Sequence, residues 1–164
     1  MLGRGGDLEK NGYRPRAELM AEHIEKVDEI AKKYGFEMSM WSDMFYGLMF
    51  KENRTEKEEA ILNGLPKDVR LIYWDYGTTD YEACANKMEN HLRITDNVGF
   101  AGGSWKWWGL VPNNQHGIFT QDIAIRACKE KGIQNYLLTC WGDNGAMVYW
   151  LIPINIFKLP TQMP

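Results

Sequence analysis

Residues 69–94 read VRLIYWDYGTTDYEACANKMENHLRI, which is an apolar run, a polar turn and an amphipathic segment. The run at 69–74 predicts a buried strand, because β-branched and aromatic side chains fit a pleated, covered surface. The segment at 79–94 predicts a helix, with Thr79 or Asp80 as its N-cap. A strand followed directly by a helix is the repeating unit of parallel α/β folds.

The same alternation of helix and strand is predicted along the rest of the chain. Helical patterns occupy 15–34, 52–66 and 119–132, and strand-like runs occupy 36–41, 97–103 and 135–141. The helix at 119–132 is expected to begin at Thr120 and to end before Gly132. The predicted fold class is therefore α/β, with four strands that alternate with four helices.

A tryptophan marks the carboxyl end of each predicted strand. These residues are Trp41, Trp74, Trp105 and Trp141, so successive ones are 33, 31 and 36 positions apart. About 250 residues complete the eight units of a (β/α)8 TIM barrel, which gives units of this length. We therefore predict a partial TIM barrel of about four βα units. An open doubly wound sheet is the alternative, although no glycine-rich phosphate loop follows any strand.

Aspartates accompany the tryptophans at three of the four strand ends, as Asp43, Asp75 and Asp143. In a parallel barrel the carboxyl ends of the strands converge on the face that carries the active site. Sugars pack their C–H faces on aromatic rings, and their hydroxyls donate to carboxylates. The strand ends therefore predict a shared sugar pocket, whereas a single tryptophan at such a position would more simply belong to the core.

The third strand end carries three tryptophans in the run SWKWWG (104–109). Adjacent side chains on an extended backbone point to opposite sides, so Trp107 and Trp108 cannot both face a pocket. At least one of Trp105, Trp107 and Trp108 is expected to pack against a neighbouring loop, and the sequence does not decide which one.

Composition excludes several other classes of function. The 164 residues carry a net charge of −3 without a basic patch, so nucleic acid is not an expected partner. No apolar stretch approaches the roughly 20 residues of a membrane span, and the first residues do not form a secretory signal. Cys84, Cys128 and Cys140 predict reduced, buried thiols of a cytoplasmic chain. No metal or other cofactor is expected, and His23 and His91 are predicted to be surface or packing residues.

Four segments of the chain carry a recognisable combination of motifs: WSDMF (41–45), LPKDVRLIYWDY (65–76), FAGGSWKWWGLVPNN (100–114) and ACKEKGIQNYLLTCWGDNGA (127–146). Together they resemble glycoside hydrolase family 20, in particular a bacterial branch of its β-N-acetylhexosaminidases. The resemblance covers residues 1–146 and implies the second half of the family's (β/α)8 barrel. It also implies substrate-assisted hydrolysis of terminal N-acetylglucosamine or N-acetylgalactosamine from glycoconjugates. In that mechanism the 2-acetamido oxygen attacks the anomeric carbon, a Glu protonates the leaving oxygen, and the adjacent Asp orients the acetamido group.

The resemblance implies a set of sugar-binding residues at the strand ends. They are Trp41, Asp43, Trp74, Trp105, Trp107, Trp141 and Asp143. Tyr76 is implied to donate to the acetamido oxygen, although the usual family pattern places this tyrosine on the next strand. Asp143 would bind the outer hydroxyls of the sugar.

Two departures from the family pattern shape the functional prediction. The catalytic Asp–Glu pair normally precedes a segment like LGRGGDLEKNGY (2–13) and is missing here, so this chain alone is expected to be inactive. Residues 147–164 do not resemble the family and are interpreted as an atypical tail, as a frameshift would produce. The expected partners are an N-acetylhexosamine glycan and either a complementary N-terminal half or a second copy. The alternatives are a non-catalytic carbohydrate-binding module and a gene remnant that dimerises through its open barrel edges.

Overall fold

The computed structural model describes residues 4–107 and 111–142. Their strands are β1 (Ser39–Trp41), β2 (Arg70–Trp74), β3 (Val98–Gly103) and β4 (Asn135–Thr139). They form a four-stranded sheet in the order β1-β2-β3-β4, in which β1 pairs parallel with β2 and β3 pairs parallel with β4. The predicted α/β class and the four strands are confirmed, and the sheet is compatible with part of a larger α/β fold.

Helices precede the first strand and connect the strands, as parallel pairing requires. Within the described residues they are α1 (Gly6–Asn11), α2 (Arg16–Lys33), a 3-10 helix (Ser42–Phe45), α3 (Tyr46–Met49), α4 (Glu56–Asn63), α5 (Tyr81–Leu92) and α6 (Asn114–Lys131). None of the described helices combines the length and the apolar character that a membrane span requires.

The chain forms two compact units, each built from two separate segments. The first unit holds the described residues up to Tyr73 together with Glu89–Val98. The second unit holds Trp74–Met88 together with the described residues from Gly99 onward.

The core of the first unit gathers apolar side chains from α2, α4, β2 and the short helices after β1. Its buried members are Ile24, Phe45, Met49, Leu62, Leu65, Val69, Leu71 and Ile94. Burial of side chains of this size contributes roughly 1.5–3 kcal/mol each, so the cluster stabilises the unit.

The second unit is organised by a hydrogen-bonded network at the end of β3. The Gln121 side chain donates to the Gly103 carbonyl at 2.7 Å and accepts from the Tyr136 hydroxyl, and the Thr139 hydroxyl donates to the Gly102 carbonyl at 2.9 Å. A Cβ at Gly102 would lie only 2.4 Å from the Gln121 oxygen, so the network leaves no room for a side chain there. The end of β3 is thereby fixed to α6 and β4.

Most predicted elements are confirmed within a few residues at each end. The helix predicted at 15–34 is α2, and Gly35 after it has a positive φ of 74°. The helix predicted at 79–94 is α5, and its Asp80 carboxylate accepts from the Ala83 N–H at 2.7 Å, which decides the N-cap in favour of Asp80.

Two sequence predictions are wrong. The helix expected to begin at Thr120 begins at Asn114, because the Asn113 side chain accepts from the His116 N–H and caps it. The Thr120 hydroxyl instead donates to carbonyls of the preceding turn, which places it inside α6. Cys140, expected to be buried, is exposed, whereas Cys84 and Cys128 are buried as predicted.

Candidate functional site

Five aromatic side chains of the second unit lie in a continuous chain of contacts around Tyr76. This aromatic cluster consists of Trp74, Tyr76, Trp105, Trp107 and Trp141. The Tyr76 ring lies 5.2 Å from both the Trp74 and the Trp107 rings, and Trp107 lies 5.3 Å from Trp105. These distances are those of interacting aromatic pairs.

Strand β2 and the turn after it position Trp74 and Tyr76. Trp74 is the last residue of β2, and the Asp75 N–H donates to the Ala101 carbonyl at 3.2 Å. The Asp75 carboxylate accepts from the backbone N–H groups of Gly77 and Thr78 at 3.0 and 2.9 Å. The turn that carries Tyr76 is therefore closed by its own preceding residue.

Asp75, predicted from its place at a strand end to accept from a sugar, has a carboxylate that accepts from groups of the protein. Besides its bonds to the turn, its carboxylate accepts from the Lys87 ammonium at 3.0 Å, and its side chain is only 13% exposed. The Thr78 hydroxyl donates to it as well, so four donors match the roughly four acceptor sites of a carboxylate. Asp75 is thus a residue that fixes the Tyr76 turn.

Gly103, at the end of β3, provides the space in which the cluster packs. A Cβ at this position would lie 2.3 Å from the Cη2 atom of Trp107 and 2.9 Å from the Cδ1 atom of Tyr76. Both distances are far shorter than van der Waals contact, so the two rings occupy the volume that a side chain would fill. Trp107 is 8% exposed and forms the buried floor of the cluster.

Trp105 holds the Tyr76 backbone in an unusual way. Its indole N–H donates to the Tyr76 carbonyl at 2.5 Å, and its own φ is +54°, a value that non-glycine residues rarely adopt. Its ring also packs edge-on against His116 with centroids 4.3 Å apart. The sequence contains no signal for the positive φ or for the contact with His116.

Trp141 approaches the polar end of Tyr76. Its indole N–H lies 3.0 Å from the Tyr76 hydroxyl oxygen, and it can only donate. The hydroxyl oxygen therefore accepts, and within the described residues no acceptor for its proton is found. Trp74 and Trp141 are each 36% exposed, so solvent reaches the cluster beside this hydroxyl.

The remaining predicted site residues lie either in the first unit or outside the described residues. Trp41 ends β1 and is 37% exposed, and Asp43 lies half-buried in the 3-10 helix of the first unit. Trp108 and Asp143 lie outside the described residues, as does the atypical tail at 147–164.

A hydroxyl–imidazole pair in the first unit resembles a nucleophile with its base, yet it is closed to solvent. The Ser42 hydroxyl lies 2.8 Å from Nε2 of His91, and both residues are fully buried. The His91 ring packs against Tyr73 at 4.9 Å and edge-on against Tyr46 at 5.8 Å. His91 is therefore a packing residue, one of the two roles predicted for it, and no substrate can reach the pair.

An open cleft of about 990 Å³ in the first unit is lined in part by Arg4, Arg14 and Arg16. The Arg14 guanidinium contacts the carboxylates of Glu22 and, at 3.4 Å, Glu18, and its pKa is raised by the Glu22 contact first. Its positive charge is thus partly compensated. No carboxylate, imidazole or thiol is among the described residues that line this cleft.

The comparisons with known proteins add no family to this picture. No protein-family model matches the chain, and no curated protein matches it either. Within the described part of the chain, no group of three or more His, Cys, Asp or Glu side chains could hold a metal ion. The candidate site is therefore defined by the geometry of the aromatic cluster alone.

Proposed function

We propose that the aromatic cluster is part of a sugar-binding site, and that the chain is the second half of a family 20 β-N-acetylhexosaminidase barrel. The observation that carries this proposal is the Tyr76 hydroxyl, which accepts from the Trp141 indole beside two part-exposed rings. Flat apolar walls around one oriented polar group are suited to a sugar with its acetamido substituent.

In this proposal Tyr76 orients the acetamido group of the substrate. Because its oxygen accepts the Trp141 N–H, its own proton is directed toward the ligand, where the acetamido carbonyl can accept it. Trp74 and Trp141 supply the walls, and Trp107 supplies the floor. For Trp41, Asp43 and Asp143, sugar binding stays a prediction from the family resemblance.

The chain would bind the sugar without hydrolysing it. In the family's mechanism the general acid is the Glu of the Asp–Glu pair, which would come from a complementary N-terminal half. Loss of positioned acid catalysis alone costs a factor of about 10²–10⁴ in rate.

Titration of the purified chain with N-acetylglucosamine, followed by NMR, tests the proposal. Tyr76→Phe removes one hydrogen bond to the ligand, worth about 1 kcal/mol, and should weaken binding about fivefold. Tyr34→Phe, at a 67% exposed position of the first unit, is the matched control and should bind like the wild-type chain.

Two outcomes would contradict the proposal. A wild-type chain that does not bind N-acetylglucosamine at tens of millimolar has no such site, and an equal affinity of the Tyr76→Phe variant would remove Tyr76 from it. Robust turnover of a chromogenic N-acetylglucosaminide by the chain alone would refute the claim that the catalytic acid must come from elsewhere.

A further inference from the structure

We propose that Trp105 is a positioning residue for Tyr76 and does not itself contact the sugar. This inference rests on the proposed function, since Tyr76 is the group that would bind the acetamido substituent. It differs from the role that the family resemblance implies for Trp105, which is direct contact with substrate.

The first observation is how Trp105 uses its only polar side-chain atom. The indole N–H is bonded to the Tyr76 carbonyl at 2.5 Å, so it has no second proton to offer a ligand. Its ring faces are also occupied in part, because Trp107 lies 5.3 Å away on one side and His116 meets the ring edge-on at 4.3 Å. The polar atom of Trp105 and part of its ring are thus used in contacts within the protein.

The second observation is the backbone of Trp105. A φ of +54° is the left-handed conformation, which a bulky side chain adopts only where surrounding contacts impose it. The Asn113 N–H donates to the Trp105 carbonyl at 3.1 Å, and Asn113 is the N-cap of α6. The start of α6 therefore holds Trp105 in the conformation from which its indole reaches Tyr76.

The third observation is that three different residues contact three different parts of Tyr76. Trp105 binds its carbonyl, Trp107 packs against its ring, and Trp141 donates to its hydroxyl. Of these three contacts, that of Trp105 is the one made with a main-chain atom of Tyr76 itself, whereas Asp75 holds the neighbouring N–H groups of Gly77 and Thr78. A shift of the Tyr76 carbonyl moves the ring and the hydroxyl with it, so loss of the Trp105 bond should misplace the ligand-binding group.

Trp105→Phe tests the inference, because it retains an aromatic ring and removes the N–H. Two measurements are made on the full chain: the NMR resonances of the Tyr76 ring, assigned with Tyr76→Phe, and the affinity for N-acetylglucosamine. The Tyr76 ring resonances should shift, since ring currents of Trp74 and Trp107 depend on ring position. The affinity should fall about two- to thirtyfold, the range for residues that act through a neighbour.

Phe119→Leu serves as the control, because Phe119 lies in the same unit and is 52% exposed. Both measurements should remain at their wild-type values in this variant. Trp105→Gly provides a second test in case Trp105→Phe is unstable, because glycine accepts the positive φ. It should show the same Tyr76 shift.

The outcomes separate the inference from the proposed function. A Trp105 variant that is folded, with unchanged Tyr76 resonances and unchanged affinity, overturns the inference and leaves the sugar site standing. A wild-type chain without sugar affinity overturns the proposed function, and the Tyr76 resonances then still decide whether Trp105 positions Tyr76. A Trp105 variant that loses stability but keeps the Tyr76 resonances and the affinity of its folded form also overturns the inference.

Discussion

The substitution Gly103→Ala is the sharpest test of how the aromatic cluster is built. The added Cβ would lie 2.3 Å from Cη2 of Trp107 and 2.9 Å from Cδ1 of Tyr76. Neither ring can rotate away freely, because Trp107 also packs on Trp105 and Tyr76 also packs on Trp74. The methyl group must therefore displace packed aromatic rings.

The expected cost follows from overpacking in a buried site. Such insertions typically destabilise a protein by about 1–3 kcal/mol. For a chain of this size, each kcal/mol corresponds to roughly 2–4 °C in melting temperature, so the midpoint should fall by about 2–12 °C. Near-ultraviolet circular dichroism should change as well, because the contacts between the rings are disturbed.

Gly117→Ala is the matched control in the same unit. Gly117 lies in the first turn of α6, and a Cβ there would meet the Ser104 carbonyl oxygen at an ordinary 3.5 Å. Alanine in a helix is more stable than glycine by about 0.5–1 kcal/mol, so this variant should be as stable as wild type or more so. Urea unfolding of both variants gives the comparison. Equal stability of the two variants, with an unchanged near-ultraviolet spectrum for Gly103→Ala, would refute the packing described for Gly103.

Three further predictions concern the reactivity of the thiols, the pH dependence of stability and the association of the chain. Burial raises the pKa of Cys84 to about 11 and that of Cys128 to about 12, so only exposed Cys140 should react with a thiol reagent in the native chain at pH 8, against three thiols after denaturation. An unfolded thiol loses its proton near pH 9.0 whereas the folded thiols retain theirs, so stability should decrease as the pH rises from 9 to 12. The decrease should be smaller in Cys128→Ala, which lacks one of the two buried thiols. A melting temperature that does not change over this range, or that falls as much in Cys128→Ala as in the wild-type chain, would contradict the burial. Among the described strands β4 lies at one edge of the sheet, and its Leu137 is half-exposed. If the proposed half-barrel pairs through such an edge, size-exclusion chromatography should show a dimer or larger species. A monodisperse monomer at high concentration would count against this part of the proposal.

The sequence predicts the order of the elements because each has a strong local signal. The apolar run before Trp74 has the composition of a strand and forms β2, and Asp80 provides a side-chain acceptor at the start of α5. Local signals fail where two caps compete. Asn113 and Thr120 are both good N-caps, and the bond from Asn113 to the His116 N–H gives α6 an additional turn.

The candidate site is predictable in its composition but not in its internal roles. A tryptophan at each strand end indicates an aromatic site, yet Trp105 and Trp107 make different contacts in the cluster because of one backbone angle and the absent Cβ of Gly103. The contacts of Asp75 are likewise not predictable from the sequence. Its position at a strand end predicts an acceptor for substrate, and its bonds to Gly77, Thr78 and Lys87 are formed only in the folded turn.

The two compact units are interleaved along the polypeptide, which has a consequence for how the chain can be divided. The chain leaves the first unit after Tyr73, returns at Glu89 and leaves it again after Val98. Cleavage in the 74–88 segment would place Ser42 and His91 on different fragments, and it would place Ile94 on a different fragment from the other residues of the first core. No single cut therefore releases either unit as one intact fragment, so neither can be expressed as one continuous piece of the chain without the other.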